Sequence, residues 1–152
     1  MKLYAEMDEQ RQPDDVQFEL EEWIDTAPFE TMLGLEIESA VGGEALLTLP
    51  FTVKLANGGG VMHGGAMTSL ADTAVAMAIK SLLPSGTAFA TTGLTMEFLA
   101  PVISGVVHAR AQVKKSGERT FRGSCELLGE DRQLYARFTS VFRVVRQQSL
   151  NR

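Results

Sequence analysis

Between Gly64 and Ile79 the chain carries a single charge, Asp72, in a run otherwise built of glycine, alanine, aliphatic, methionine and small hydroxyl residues. This composition predicts a helix from Ala66 to about Leu83, stopped by Pro84-Ser85-Gly86. A helix that is apolar or small on nearly every face belongs in a core rather than on a surface. The rest of the chain must therefore wrap it.

The wrapping material is strand-like. Leu35–Val41 and Glu44–Pro50 flank Gly42-Gly43, which is the spacing and turn chemistry of a two-residue β-hairpin. Beyond the helix, Thr91–Leu99, Val106–Lys114, Thr120–Leu128 and Gln133–Val145 carry β-branched or aromatic residues and are parted by Pro101, Gly105, Gly117 and Gly129. Val107, Ala109, Ala111 and Val113 alternate with His108, Arg110, Gln112 and Lys114, so one face of that strand is covered and the other wet. A helix, a hairpin, a long helix and four strands in succession define an α+β protein, its antiparallel sheet packed on one main helix.

Ahead of the sheet, Val16, Leu20, Trp23, Ile24 and Ala27 fall at helical spacing and predict a short amphipathic helix ended before Pro28. Pro28–Gly34 predicts one or two further turns, with proline opening and glycine closing them. Residues 1–15 are polar and are expected to form a disordered tail, 16–146 one domain and 147–152 a second tail.

A chain of 152 residues with 45% hydrophobic content suffices for one packed domain. No apolar run reaches the roughly 18 residues of a membrane-spanning helix, and the acidic N-terminus lacks a secretory signal, so a cytoplasmic protein is expected. The net charge of −5 argues against nucleic acid as a partner. Cys125 sits in an alternating apolar segment and reads as a small buried hydrophobe. With only His63 and His108 beside it, no zinc set is available, and no phosphate-loop, dinucleotide or Gly-x-Ser-x-Gly motif is present. No cofactor is expected. Lys114, Lys115, Arg119 and Arg122 form a basic stretch around a turn, by itself a solvated hairpin tip.

Asp72 is the residue this pattern leaves to explain. A carboxylate in apolar surroundings acquires a raised pKa unless paired, which suits a general base, although backbone N–H groups or an arginine satisfy a structural Asp equally well. The segment Asn57-Gly-Gly-Gly-Val-Met-His63-Gly64-Gly65 shifts the balance. It feeds glycines into the helix N-terminus, where free N–H groups and the helix dipole suit the anionic oxygen of a carbonyl under attack. Asn57 offers a further donor, and His63 an orienting role. His63 and Asp72 are nine positions apart, about 13.5 Å along a continuous helix, so they cannot meet within one chain. If both serve one reaction, two antiparallel copies of the helix lie side by side in a dimer with two sites.

These residues, Asn57-x5-His63-Gly64-Gly65-x6-Asp72 after Ala27-Pro28-Phe29 and Leu33-Gly34-Leu35, resemble the PaaI-like branch of the hotdog thioesterase superfamily. Leu94–Pro101 and Lys115–Thr120 fit the same branch, and the likeness spans Pro28 to Val144. It implies a hotdog fold, a curved antiparallel sheet wrapped around one long central helix. It also implies dimers with joined sheets, often paired again into dimers of dimers.

For the site, the resemblance implies hydrolysis of acyl-coenzyme A, with Gly64 N–H and Asn57 polarising the thioester carbonyl. Asp72 of the opposite subunit then activates water or attacks directly, His63 steadies the loop, and Thr91, in preference to Thr92, assists the carboxylate. Lys114, Lys115, Arg119 and Arg122 become candidate contacts for the coenzyme's phosphates. The alternatives are a non-catalytic acyl-CoA-binding or scaffold protein and, less well matched because glycines follow His63, a dehydratase or hydratase. The acyl group stays open among aromatic, short and medium aliphatic classes.

Overall fold

The computed structural model describes residues 1–3 and 18–146. A hairpin opens the main sheet: β3 (Glu36–Val41) and β4 (Glu44–Pro50) pair antiparallel around Gly42 and Gly43, whose φ values of 61° and 83° are those of the left-handed turn such a hairpin requires. The long helix α2 (Gly64–Lys80) follows, then β5 (Phe89–Phe98), β6 (Val106–Lys115), β7 (Thr120–Leu128) and β8 (Leu134–Val144). The six strands form one antiparallel sheet in the order β3-β4-β6-β7-β8-β5, wrapped over α2. The short helix α1 (Pro28–Leu33) ends at Gly34 in the left-handed conformation, as its sequence predicts. Among the described residues no helix is long and apolar enough to cross a membrane.

The alternation in β6 is realised: Val107, Ala109 and Ala111 are buried against α2 while Arg110, Gln112 and Lys114 are exposed. Small residues on this face let the helix come close. A Cβ placed on Gly123 of β7 would fall inside the Val75 side chain and 3.2 Å from Ser140 Oγ. Gly123→Ala is therefore expected to cost about 1–3 kcal/mol by overpacking. Urea unfolding measures the loss, and Val75→Ala in the same chain should return most of it, because the two positions share one space.

Two expectations are corrected. The predicted helix over Val16–Ala27 is not formed: Phe18–Glu19 is a short strand β2 paired with β1 (Lys2–Leu3), and residues 21–24 bend; Val16 itself lies outside the described residues. Local periodicity is overridden by side-chain competition for the backbone. Asp25 accepts the Glu21 and Thr26 N–H groups and an ion pair from the Met1 α-amino group at 2.7 Å, while Trp23 is drawn onto α2. The disordered tails expected at 1–15 and 147–152 fall on residues outside the described set, except Met1 to Leu3. The end of α2 also comes earlier than Leu83. Past Lys80 the chain tightens into single-turn bonds, Leu82 N–H to Ile79 O and Leu83 N–H to Lys80 O.

Candidate active site

Most of α2 is enclosed, but Gly65, Thr68, Ser69, Asp72, Ala76 and Lys80 form a half-open stripe at helical spacing. Asp72 thus stands on the uncovered seam of the helix rather than sealed in the core. Burial pushes its carboxyl above the ordinary aspartate range, partly offset by the Thr91 hydroxyl, which donates to Oδ1 at 3.0 Å and Oδ2 at 3.2 Å. Thr92 turns away and donates to the Val141 carbonyl. A register shift between Thr91 and Gly93 leaves Thr92 bulged out of the β5–β8 ladder, which turns its side chain away from Asp72. Asp72 takes part in no ion pair among the described residues.

At the other end of the helix, His63 is the N-cap, its Nδ1 accepting the Gly65 N–H at 2.8 Å. The imidazole is thereby held against the helix start. Ala66 and Met67 donate to the His63 carbonyl, which among the described residues leaves the Gly64 N–H as the amide free to meet a ligand. Gly64 lies under the Phe98 ring, and a Cβ there would stand 3.0 Å from it, so any side chain must push the ring aside. Asn57 commits its Oδ1 to the Gly59 and Val61 amides at 2.9 and 3.3 Å, which orients its Nδ2 donor while bracing the loop.

The two groups lie in separate pockets. Gly64, Asn57, Met67 and Phe98 line one of about 360 Å³, and Asp72 with Thr91 lines another of about 370 Å³. Eight positions of unbroken helix, about 12 Å, divide them. One chain brings together Asp72 with Thr91, and His63 with Gly64 and Asn57, but does not bring the two sets to each other.

The basic residues are divided as well. Lys114 and Arg122 face each other across β6 and β7 on the outer side, and the half-buried Arg119 donates to the Val144 carbonyl at 3.3 Å. Lys115 lies on the helix side, in one lateral row with Phe121, Phe142 and Thr91. Three strand spacings put it about 14 Å from Thr91. Cys125 is buried and its thiol is pushed up to about 12, which removes it as a nucleophile at neutral pH. Phe98 over Gly64, and Trp23 and Lys80 at the far end of the Asp72 pocket, are site neighbours whose place there has no signal in the sequence motifs. Phe98 lay within the Leu94–Pro101 stretch, whereas Trp23 and Lys80 are linked only through the fold.

A six-stranded antiparallel sheet folded around one long helix, with a carboxylate on the helix seam and an amide-rich helix start, defines a hotdog-fold thioester hydrolase. The chain belongs to the thioesterase superfamily, which it matches over residues 59–136. It is 36% identical over 107 residues to the acyl-coenzyme A thioesterase PaaI of Escherichia coli, covering 70% of this chain and 74% of that one. The solved structure of the Escherichia coli PaaI protein from the phenylacetic acid degradation operon superposes with a TM-score of 0.71 at 31% identity, covering 79% of this chain and 86% of the other. A conserved protein of Pseudomonas aeruginosa superposes with a TM-score of 0.76 at 28% identity, covering 81% and 97%.

Proposed function

We propose that the chain hydrolyses acyl-coenzyme A thioesters at sites assembled from two copies of itself. The observation that carries this reading is the separation of Asp72 from Gly64 along one rigid helix, each group in its own pocket. Neither half is sufficient. Pairing two α2 helices antiparallel along their half-open seams, crossing near Thr68, sets each Asp72 against the other copy's Gly64. The edge strand supports the same two-fold. β5 is ten residues long, carries Glu97 as its only charge and exposes Leu94 and Phe98, a profile that calls for a covering strand. Its Phe89–Thr91 end lines the Asp72 pocket and its Phe98 end the Gly64 pocket, so antiparallel pairing about Leu94–Thr95 joins the two halves.

In this mechanism the Gly64 N–H and Asn57 Nδ2 bind the thioester oxygen as it gains negative charge. Asp72 of the opposite copy either takes a proton from water as its oxygen adds to the carbonyl carbon, or adds to that carbon itself to give a mixed anhydride that water then hydrolyses; in both cases the C–S bond breaks, the coenzyme leaves as its thiol with a proton from water, and the acyl group leaves as the carboxylic acid. Thr91 holds the carboxylate in register. His63 keeps the helix start in shape through the Gly65 amide. Of the four basic residues, Lys115, in the Thr91 row on the helix side, is the one placed to meet the coenzyme's phosphates, while Lys114, Arg119 and Arg122 add positive charge around the same hairpin tip. The chain's site in the cytoplasm, where acyl-coenzyme A esters are used, is part of the proposal.

The test is thiol release, followed with a thiol-reactive dye, across aryl, short-chain and medium-chain acyl-coenzyme A esters. Turnover of at least one class is the expected result. Tight binding of these esters without any thiol release would instead make the chain a binding or scaffold protein.

A further inference from the structure

The pocket that opens at Asp72 and Thr91 does not end there. It follows the α2 face through Ala76 and Met77 to Lys80, eight positions and about 12 Å from Asp72. Its sides are apolar, with the Phe89 and Phe142 rings 5.9 Å apart on the sheet side. Its far end is lined by the segment before α1, which is tied to the helix rather than laid loosely against it. Trp23 Nε1 donates to the Lys80 carbonyl at 2.9 Å, Lys80 Nζ donates back to the Trp23 carbonyl at 2.9 Å, and the ammonium stands 4.7 Å from the indole centroid. The neighbouring carboxylates are engaged too, Asp25 on backbone amides and Glu30 on the Ala27 N–H at 3.1 Å. With its polar groups turned on one another, the end of the pocket presents the indole to whatever enters.

Resting on the acyl-coenzyme A reading, we infer that Trp23, clasped to Lys80, is the floor of the acyl pocket and sets the longest acyl chain this enzyme accepts. At about 1.25 Å of advance per C–C bond, a depth of about 12 Å holds a straight chain of roughly eight to ten carbons. A longer chain must displace the indole and break both hydrogen bonds of the clasp. Trp23 is a specificity-determining residue, remote from the reacting atoms.

The readout is the ratio of kcat/KM for tetradecanoyl- to hexanoyl-coenzyme A. Trp23→Ala should raise it at least about tenfold, since each methylene newly admitted to an apolar pocket is worth about fourfold. Trp23→Phe, which keeps a ring at the floor, should raise it far less. A ratio unchanged in Trp23→Ala, or raised as much in Trp23→Phe as in Trp23→Ala, with the variants folded by circular dichroism, overturns the inference while leaving the thioesterase reading in place. Wild-type protein that releases thiol from no acyl-coenzyme A overturns both.

Discussion

Asp72→Asn is expected to lower thioester hydrolysis by about 10²- to 10⁴-fold while raising the melting temperature at neutral pH. The two effects share a cause. Burial raises the Asp72 pKa in the folded chain above its unfolded value, so the folded state holds the proton more tightly. Below the unfolded carboxylate range both states are protonated and burial of the charge costs nothing. As pH rises from there through the raised folded value, stability is lost, because the charged form is the one that the half-buried seam disfavours. Asparagine stays neutral, keeps an oxygen for the Thr91 hydroxyl, and escapes that loss, yet has no lone pair basic enough to take a proton from water. Thiol-release kinetics and thermal unfolding, each at neutral pH and again below the carboxylate range, measure both arms. The stability gain should vanish at the acid end. Full activity in Asp72→Asn would remove the carboxylate from the mechanism.

The second large effect is recovery of activity from two dead proteins. Gly64→Val drives a branched side chain into the Phe98 ring, which lies 3.0 Å from the Cβ position, and masks the Gly64 amide, so this variant should be as inactive as Asp72→Asn. On the proposed pairing, the two chains co-expressed and purified together through different affinity tags form mixed dimers. In each of these, one site joins an intact Gly64 to an intact Asp72 and the other has lost both. Random pairing puts half of all dimers in the mixed state, so an unsorted mixture should regain about one quarter of wild-type activity. A site contained in one chain predicts none. Mixed dimers that remain as inactive as their parents would exclude the shared site, whatever the outcome for Asp72 alone.

The layers of this fold were legible because both of its periodicities are strong. The α2 run has almost no polar face to mislead, and β6 alternates strictly enough to state which residues touch the helix. Gly42-Gly43 specified its hairpin through turn geometry alone. At the site, the glycine-rich approach to the helix and the lone Asp72 were visible, as was their inability to meet, since that follows from helical rise. Of the two threonines at the start of β5, Thr91 is the one whose hydroxyl meets the Asp72 carboxylate. Other features had no local signal. The spacing of Leu20, Trp23 and Ile24 is helical, but Trp23 is held by Lys80, fifty-seven positions away, and Asp25 takes up backbone amides of the segment. The split of Lys114 and Arg122 from Lys115 was implicit in strand alternation, and treating the four basic residues as one patch passed over it. The half-open seam of α2 was hidden because small residues look the same in sequence whether they face a sheet or a second helix.

The clasp at the foot of the Asp72 pocket has a practical consequence. Trp23 is the sole tryptophan of the chain. Its indole lines that pocket, so emission excited at the red edge of the ultraviolet band, where the two tyrosines do not absorb, arises at one defined spot. Quenching or a spectral displacement on adding a ligand then reports arrival at that spot, in real time and without a dye.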